Sequence, residues 1–174
     1  MTTTVQDWVS SVKLSSDKLH HWLSRQYIGE TLAADRIQAL ADISPENQQP
    51  VLRRIADDEA KHASWVRDLL VQRGILIPEA TYDGTRYWGP ILKNGMSASQ
   101  LMAAGAHAEA MRLHRIRALA ADTDIDQDIR DVFQRILPDE EFHAKAFAHM
   151  AGADAVAQAE ADHQAGLVAL GLEL

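Results

Sequence analysis

Apolar positions recur with a helical period through most of this chain, and acidic and histidine positions interrupt them at regular places. Leu23, Tyr27, Ala33, Ala34 and Ile37 fall on one stripe, and Leu52, Ile55, Ala63 and Val66 on a second. Phe133, Ile136, Leu137, Ala144 and Phe147 make a third. Residues three and four apart share a helix face, so each stripe predicts an amphipathic helix packed against neighbours. Start and stop signals give the boundaries. A first helix follows Ser15–Asp17 and runs to about Ala41. The string SPEN predicts the start of a second, with Ser44 as N-cap, Pro45 at the first helical position and Gly74 as the C-terminal cap. Ser97 and Gln100 form a capping box for a third, ending near Asp122. The fourth begins around TDID and reaches Gly152, and an Ala-rich helix occupies about 154–170. The expected architecture is all-α: a four-helix bundle over about 17–150 with an additional C-terminal helix, in one domain spanning 1–174.

The one long irregular stretch is residues 75–96, ILIPEATYDGTRYWGPILKNGM, with its cluster of Tyr82, Tyr87 and Trp88. It is long enough to cross the whole bundle, which would make the second and third helices parallel. It reads either as a loop packed by its own aromatics or as a substrate lid.

Composition narrows the function classes. The 174 residues contain no cysteine, which excludes disulfides, zinc ribbons, iron–sulfur clusters and a rubredoxin-type module, and suits a cytoplasmic location. The start, MTTTVQDWVSS, has no signal-peptide pattern, and no apolar run approaches the roughly 18 residues of a membrane span. A net charge of −8 without a basic run argues against nucleic acid as a partner. Part of that acidity is expected to be internal, balanced by something cationic.

The polar interruptions are themselves repeated. RIADDEAKHA (54–63) and RILPDEEFHA (135–144) share Arg, Ile, Asp, Glu, His and Ala in register, 81 residues apart. Glu59 with His62, and Glu140 with His143, are three apart and project together into the apolar stripes, where burial is costly without partners. Glu30 and Glu109 each precede an Arg-Ile pair (Arg36-Ile37 and Arg115-Ile116) at the same spacing, so a whole helical hairpin looks duplicated. Four glutamates carry four negative charges and two divalent cations would balance them, with a neutral imidazole for each. A Glu from each of two helices and Glu-x-x-His from two others is the di-iron or di-manganese pattern of four-helix bundles. Oxygen-rich ligands with one imidazole per metal suit iron or manganese. A third Glu-x-x-His, Glu160 and His163, lacks the surrounding context and reads as surface helix. His20, His21, His107, His114 and His149 are rotated or displaced from the ligand stripes.

Those residues resemble the ferritin-like superfamily, which includes rubrerythrins, bacterioferritins, manganese catalases and di-iron monooxygenases. The resemblance implies a ferritin-like four-helix bundle in which Glu59 and Glu140 bridge two metals. Glu30 with His62 would complete one ion's ligands, and Glu109 with His143 the other's. GETLAADR is similar to the first helix of rubrerythrins, but their extra third-helix glutamate would fall at Arg112 and their cysteine-bound iron is absent. Ala60 stands where bacterioferritin has its haem-ligating Met, and the second Glu-x-x-His departs from storage ferritins. GAHAEAMRLHR looks like the third helix of di-iron tRNA hydroxylases, against which the acidic charge speaks. DEAKH and DEEFH resemble the Asp-Glu-x-Arg-His motifs of bacterial di-iron monooxygenases, with Lys61 and Phe142 in place of Arg. By that resemblance Asp58 would hydrogen-bond His143 and Asp139 would hydrogen-bond His62; otherwise both are solvated helix acids.

The function expected is a non-haem di-iron oxidoreductase, a monooxygenase or related oxidase, with two Fe ions (or Mn) that activates O2 to oxidise a small organic substrate. Its rivals are iron oxidation and storage, or rubrerythrin-like peroxide detoxification. Tyr27, one turn before Glu30, is either a redox relay, a hydrogen-bond donor to a ligand, or core. Pro138 should kink or bulge the fourth helix. An electron-donor protein and a homodimer complete the expectation, with no membrane partner.

Overall fold

The computed structural model describes residues 5–81 and 86–172, and the fold is all-α. The helices are α1 (Val5–Lys13), α2 (Ser16–Ile43), α3 (Gln49–Gln72), α4 (Trp88–Ile91), α5 (Ala98–Ala121), α6 (Gln127–Ala151) and α7 (Ala153–Leu170). Among the described residues no helix is long and apolar enough to cross a membrane. Tyr82, part of the expected aromatic cluster, lies outside the described residues.

The four long helices form two hairpins, α2–α3 and α5–α6, packed on one another, with α3 against α6. Their directions follow from contacts at the two ends. At one end Lys13, just before α2, pairs with Asp122 after α5, and Arg73 after α3 pairs with Asp126 and Asp128 at the start of α6. At the other end Gln48 before α3 donates to the Met150 carbonyl, and Ser99 at the start of α5 donates to the Ala151 carbonyl. Helices α3 and α5 therefore run parallel, and the connection after Arg73 returns the chain along the full bundle, as its length implied.

Most boundaries agree with the capping signals. The Ser97–Gln100 capping box is formed in both directions. Gly74 takes a left-handed φ of 67°, with Ile75 N–H donating to Leu70 O, the wrapped bond that closes a helix end. SPEN is a correction: Ser44 ends α2 rather than starting α3. Its hydroxyl donates to Leu40 O, and Pro45 holds it in the extended region, where a helix cannot continue. A turn in which Gln48 and Gln49 N–H both donate to Pro45 O then leads into α3, whose first turn contains Pro50. Nor does Pro138 open a bulge, since α6 runs as uninterrupted α-helix through it. Helix α1 was not expected; it packs its Val9 and Val12 onto the bundle beside α5 and α2.

Two apolar clusters fill the bundle, one toward each end. The first gathers Trp22, Leu23, Leu69, Leu70, Ile116, Leu119, Ile129, Phe133 and Ile136. The second gathers Ile37, Leu40, Leu52, Ile55, Met102, Ala106 and Phe147. Each fully buried side chain of this kind contributes about 1.5–3 kcal/mol. In the second cluster α5 and α6 approach closely at Gly105, where an added Cβ would lie 3.2 Å from the Phe147 ring. On every long helix the repeated Glu and His positions fall between the two apolar layers, so the polar layer is sandwiched.

Candidate metal centre

Helix α2 supplies Glu30, α3 supplies Asp58, Glu59 and His62, α5 supplies Glu109, and α6 supplies Asp139, Glu140 and His143. Glu30, Glu59, His62, Glu140 and His143 are wholly buried, and Glu109 nearly so. Both imidazoles turn Nδ1 inward: His62 Nδ1 lies 3.4 Å from Glu140 and 3.8 Å from Glu30, and His143 Nδ1 lies 3.0 Å from Glu59. Ligating atoms of Glu30, Glu59, His62 and Glu140 all fall within 4.8 Å of one another.

Burying four carboxylates together is costly, because each loses water and faces like charge. Burial and neighbouring charge act on them unequally. Burial, with Glu140 and Glu30 alongside, pushes Glu59 well above the usual carboxylate range. Burial also raises Glu109, against the pull of Arg112. Glu140 is buried too, but Arg112 and His62 outweigh that and hold it far below. Burial of His62 is outweighed by Glu140 and Glu30, which raise it, whereas burial leaves His143 lowered.

Arg112 is the member of this cluster whose role sequence reasoning missed. Its guanidinium enters among all four carboxylates, pairing with Glu30, with Glu140 and Glu109 at 3.2 Å, and with Glu59 at 3.5 Å. The signal was its place three residues after Glu109, the spacing that joins Glu59 to His62. Even so, one guanidinium does not satisfy the cluster. One oxygen each of Glu30 and Glu140, both oxygens of Glu59, and Nδ1 of His62 and His143 are buried without a hydrogen bond; Glu59 and His143 approach to 3.0 Å but not in hydrogen-bond geometry. Buried lone pairs left this way are rare and call for a cation or a donor. Hard oxygen donors with two imidazoles fit iron or manganese.

Asp58 and Asp139 differ. Asp139 reaches across to His62, with Nε2–Oδ2 at 3.3 Å. The matching His143 Nε2–Asp58 distance is 3.7 Å, beyond a hydrogen bond. Lys61 accounts for the difference, because its ammonium holds Asp58 at 2.8 Å. Burial favours a neutral Asp58, yet Lys61 outweighs it and keeps the carboxyl below its usual range. In the other half Phe142 replaces Lys61 and lies under the Arg54 guanidinium instead, 4.6 Å from ring centre. Tyr27 is half-buried against the first apolar cluster, and among the described residues its hydroxyl has no hydrogen-bond partner.

The sequence model of the rubrerythrin family matches residues 21–151, which covers all four ligand-bearing helices and well over half of the chain. The chain belongs to the rubrerythrin family. No curated protein and no solved structure was found to match it. Rubrerythrin-family proteins are di-iron carboxylate proteins, and the buried glutamate–histidine cluster of this member fits a metal site. The family match ends at Ala151 and thus leaves α7 outside it.

That last helix corrects a further expectation. Glu160 is exposed, but His163 is buried rather than a surface residue. The Tyr87 hydroxyl and His163 Nδ1 are hydrogen-bonded at 2.7 Å, and the His163 ring stacks on His107, centres 4.7 Å apart. Burial pushes the Tyr87 phenol up and the His163 imidazole down. Tyr87 and Ile91 pack with Ala104, Ala108, Met111 and Leu167, so this part of the connection is packed by its own aromatic and fastens α7 to α5.

Proposed function

We propose that this rubrerythrin-family protein is a di-iron oxidoreductase that reduces O2 and oxidises a small organic molecule with it. The observation that carries the metal part is the set of unpartnered, inward-facing donor atoms of Glu30, Glu59, Glu140, His62 and His143. Glu30 and His62 would hold one ion, Glu109 and His143 the other, and Glu59 and Glu140 would serve both. Bound iron would supply the electrons for dioxygen reduction, and the surrounding carboxylates would stabilise its higher oxidation states. The chain's own contribution is position and dryness. Leu23 and Phe133 on one side and Met102 and Phe147 on the other keep bulk water from the polar layer. Asp139 holds the His62 ring through Nε2, so that Nδ1 faces inward.

The organic substrate is supported by Arg112, which stands where the rubrerythrin pattern places a further glutamate, and by the lack of any cysteine for a relay iron. A second reading, equally compatible with the family match, is peroxide reduction or iron oxidation. An electron-donor protein, a homodimer and a cytoplasmic setting belong to the first reading. The test is anaerobic iron loading to two ions per chain, followed by separate pulses of O2 and hydrogen peroxide with candidate metabolites present. The expected outcome is O2 consumption coupled to an oxidised metabolite. Peroxide consumption without organic product would favour detoxification, and ferric mineral far beyond two ions per chain would favour storage. Glu59→Ala should lose both ions, while Glu160→Ala keeps both; equal metal content in the two variants would sink the metal assignment.

A further inference from the structure

The two hairpins are near-duplicates in their ligands, but they are not duplicates at Arg112. The residue three after Glu30 is Ala33, and the residue three after Glu109 is Arg112. One half therefore carries a built-in cation that the other lacks. Its effect on the donor atoms is unequal. Glu109 alone has both oxygens taken, at 3.2 and 3.5 Å from the same guanidinium nitrogen. Glu30 and Glu140 each give one oxygen to Arg112 and keep the other without a hydrogen bond, and His62 Nδ1 beside them also has none. The only described group of donors close enough to share one ion is Glu30, Glu59, His62 and Glu140, without Glu109.

We propose that Arg112 makes the two metal positions unequal: an ion enters the Glu30/Glu59/His62/Glu140 half first, and the Glu109/His143 half fills only when the guanidinium withdraws. This rests on the reading of the cluster as a metal centre. Charge gives the order. Once the four carboxylates are ionised as ligands, one guanidinium leaves three of their negative charges uncovered; a first divalent ion reduces this to one. A second with Arg112 still inserted would make the layer net positive and press like charges together in a site sheltered from water. The Arg112 side chain keeps 16 % exposure while the carboxylates it touches keep 0 to 6 %, so it is the member of the cluster nearest to water. It enters from the edge of the layer, and a long side chain of this kind can carry its charged end to water without moving its helix. Without metal, Arg112 is the counter-ion that lets the apo bundle close.

The experiment titrates metal-free, full-length protein with Co(II) under argon, following the visible absorption and the heat of binding. Bound metal is counted after desalting. The wild type should show two steps, the second at least about tenfold weaker, each tenfold corresponding to about 1.4 kcal/mol. In Arg112→Ala the two steps should draw together to within about threefold, and the metal-free variant should melt lower than the wild type but recover on adding Co(II). Glu109→Gln, which keeps its shape and its contact with Arg112, should lose the weak step alone. Two equal steps in the wild type, an unchanged gap in Arg112→Ala, or loss of the tight step in Glu109→Gln would each overturn the proposal while leaving the metal centre standing. Failure of the wild type to bind more Co(II) than Glu59→Ala would remove the metal centre itself, and the proposal with it.

Discussion

At the scale of single residues, a lysine and a phenylalanine divide two otherwise matching motifs. Asp139, next to Phe142, has no neighbouring ammonium on its own helix turn and reaches His62; Asp58 is held by Lys61 and stops 3.7 Å from His143. A carboxylate on the outer nitrogen fixes the tautomer and raises the basicity of the inner one, and losing such a partner typically costs about 10- to 100-fold in metal affinity or activity. We predict that Asp139→Asn falls in that range, and that Asp58→Asn costs less than about threefold because its contact with His143 is already weak. Competition titrations with a chelator of known affinity measure both. Equal losses would mean that the Asp58 contact closes when metal binds, and the asymmetry would then be a property of the apo state.

At the scale of elements, side-chain clasps place the helices that carry the ligands. Arg73 joins the end of α3 to the start of α6 through Asp126 and Asp128. The Arg73 hydrogen bond outweighs desolvation and holds the Asp128 carboxyl below its ordinary value. A carboxylate depressed in the folded state stabilises above its unfolded pKa, near about 3.9, and that contribution fades as pH falls through the folded value. Asp128→Asn should therefore cost up to about 1 kcal/mol at pH 6, as exposed pairs do, and measurably less at pH 3. Urea unfolding at the two pH values checks it; a constant difference would trace the loss to something other than the ion pair. On the other side, a Cβ at Gly166 would lie 2.7 Å from the Tyr87 ring. Overpacking of this kind typically costs about 1–3 kcal/mol, so Gly166→Ala should loosen α7 by that amount, and faster amide exchange confined to α7 would show it. The long helices were legible in the sequence because their stripes are long and their caps chemically explicit. Ser44 was misread because one Ser-Pro pair serves equally as a helix end and as a helix start, and only the partner of its hydroxyl decides. Helix α1 was overlooked because nine residues give a short stripe. His163 was taken for surface because its burial comes from Tyr87, far away in the chain.

At the scale of the whole molecule, each of the four long helices places a glutamate in one layer, and the two hairpins meet through that layer. The duplicated spacing made the layer legible in the sequence, since a register that repeats over both hairpins is hard to satisfy by chance. The insertion of Arg112 was legible only as a spacing, three residues after Glu109; an arginine there points as readily to solvent as inward, and only the closed bundle shows which. An ion held by side chains from all four helices binds the folded chain and not the unfolded one, so it should stabilise the bundle by mass action. At a free metal concentration about 100 times the dissociation constant this amounts to about 2.7 kcal/mol. For a chain of this size each kcal/mol raises Tm by about 2–4 °C, giving a shift of roughly 5–11 °C. Differential scanning calorimetry with Mn(II), which avoids oxidation during the scan, measures it. Glu59→Ala should melt at one temperature with and without the ion, while Glu160→Ala should shift as the wild type does. A wild-type Tm that ignores Mn(II) and Fe(II) alike would mean that Arg112 and protonated carboxylates, not metal, close this layer in the working protein.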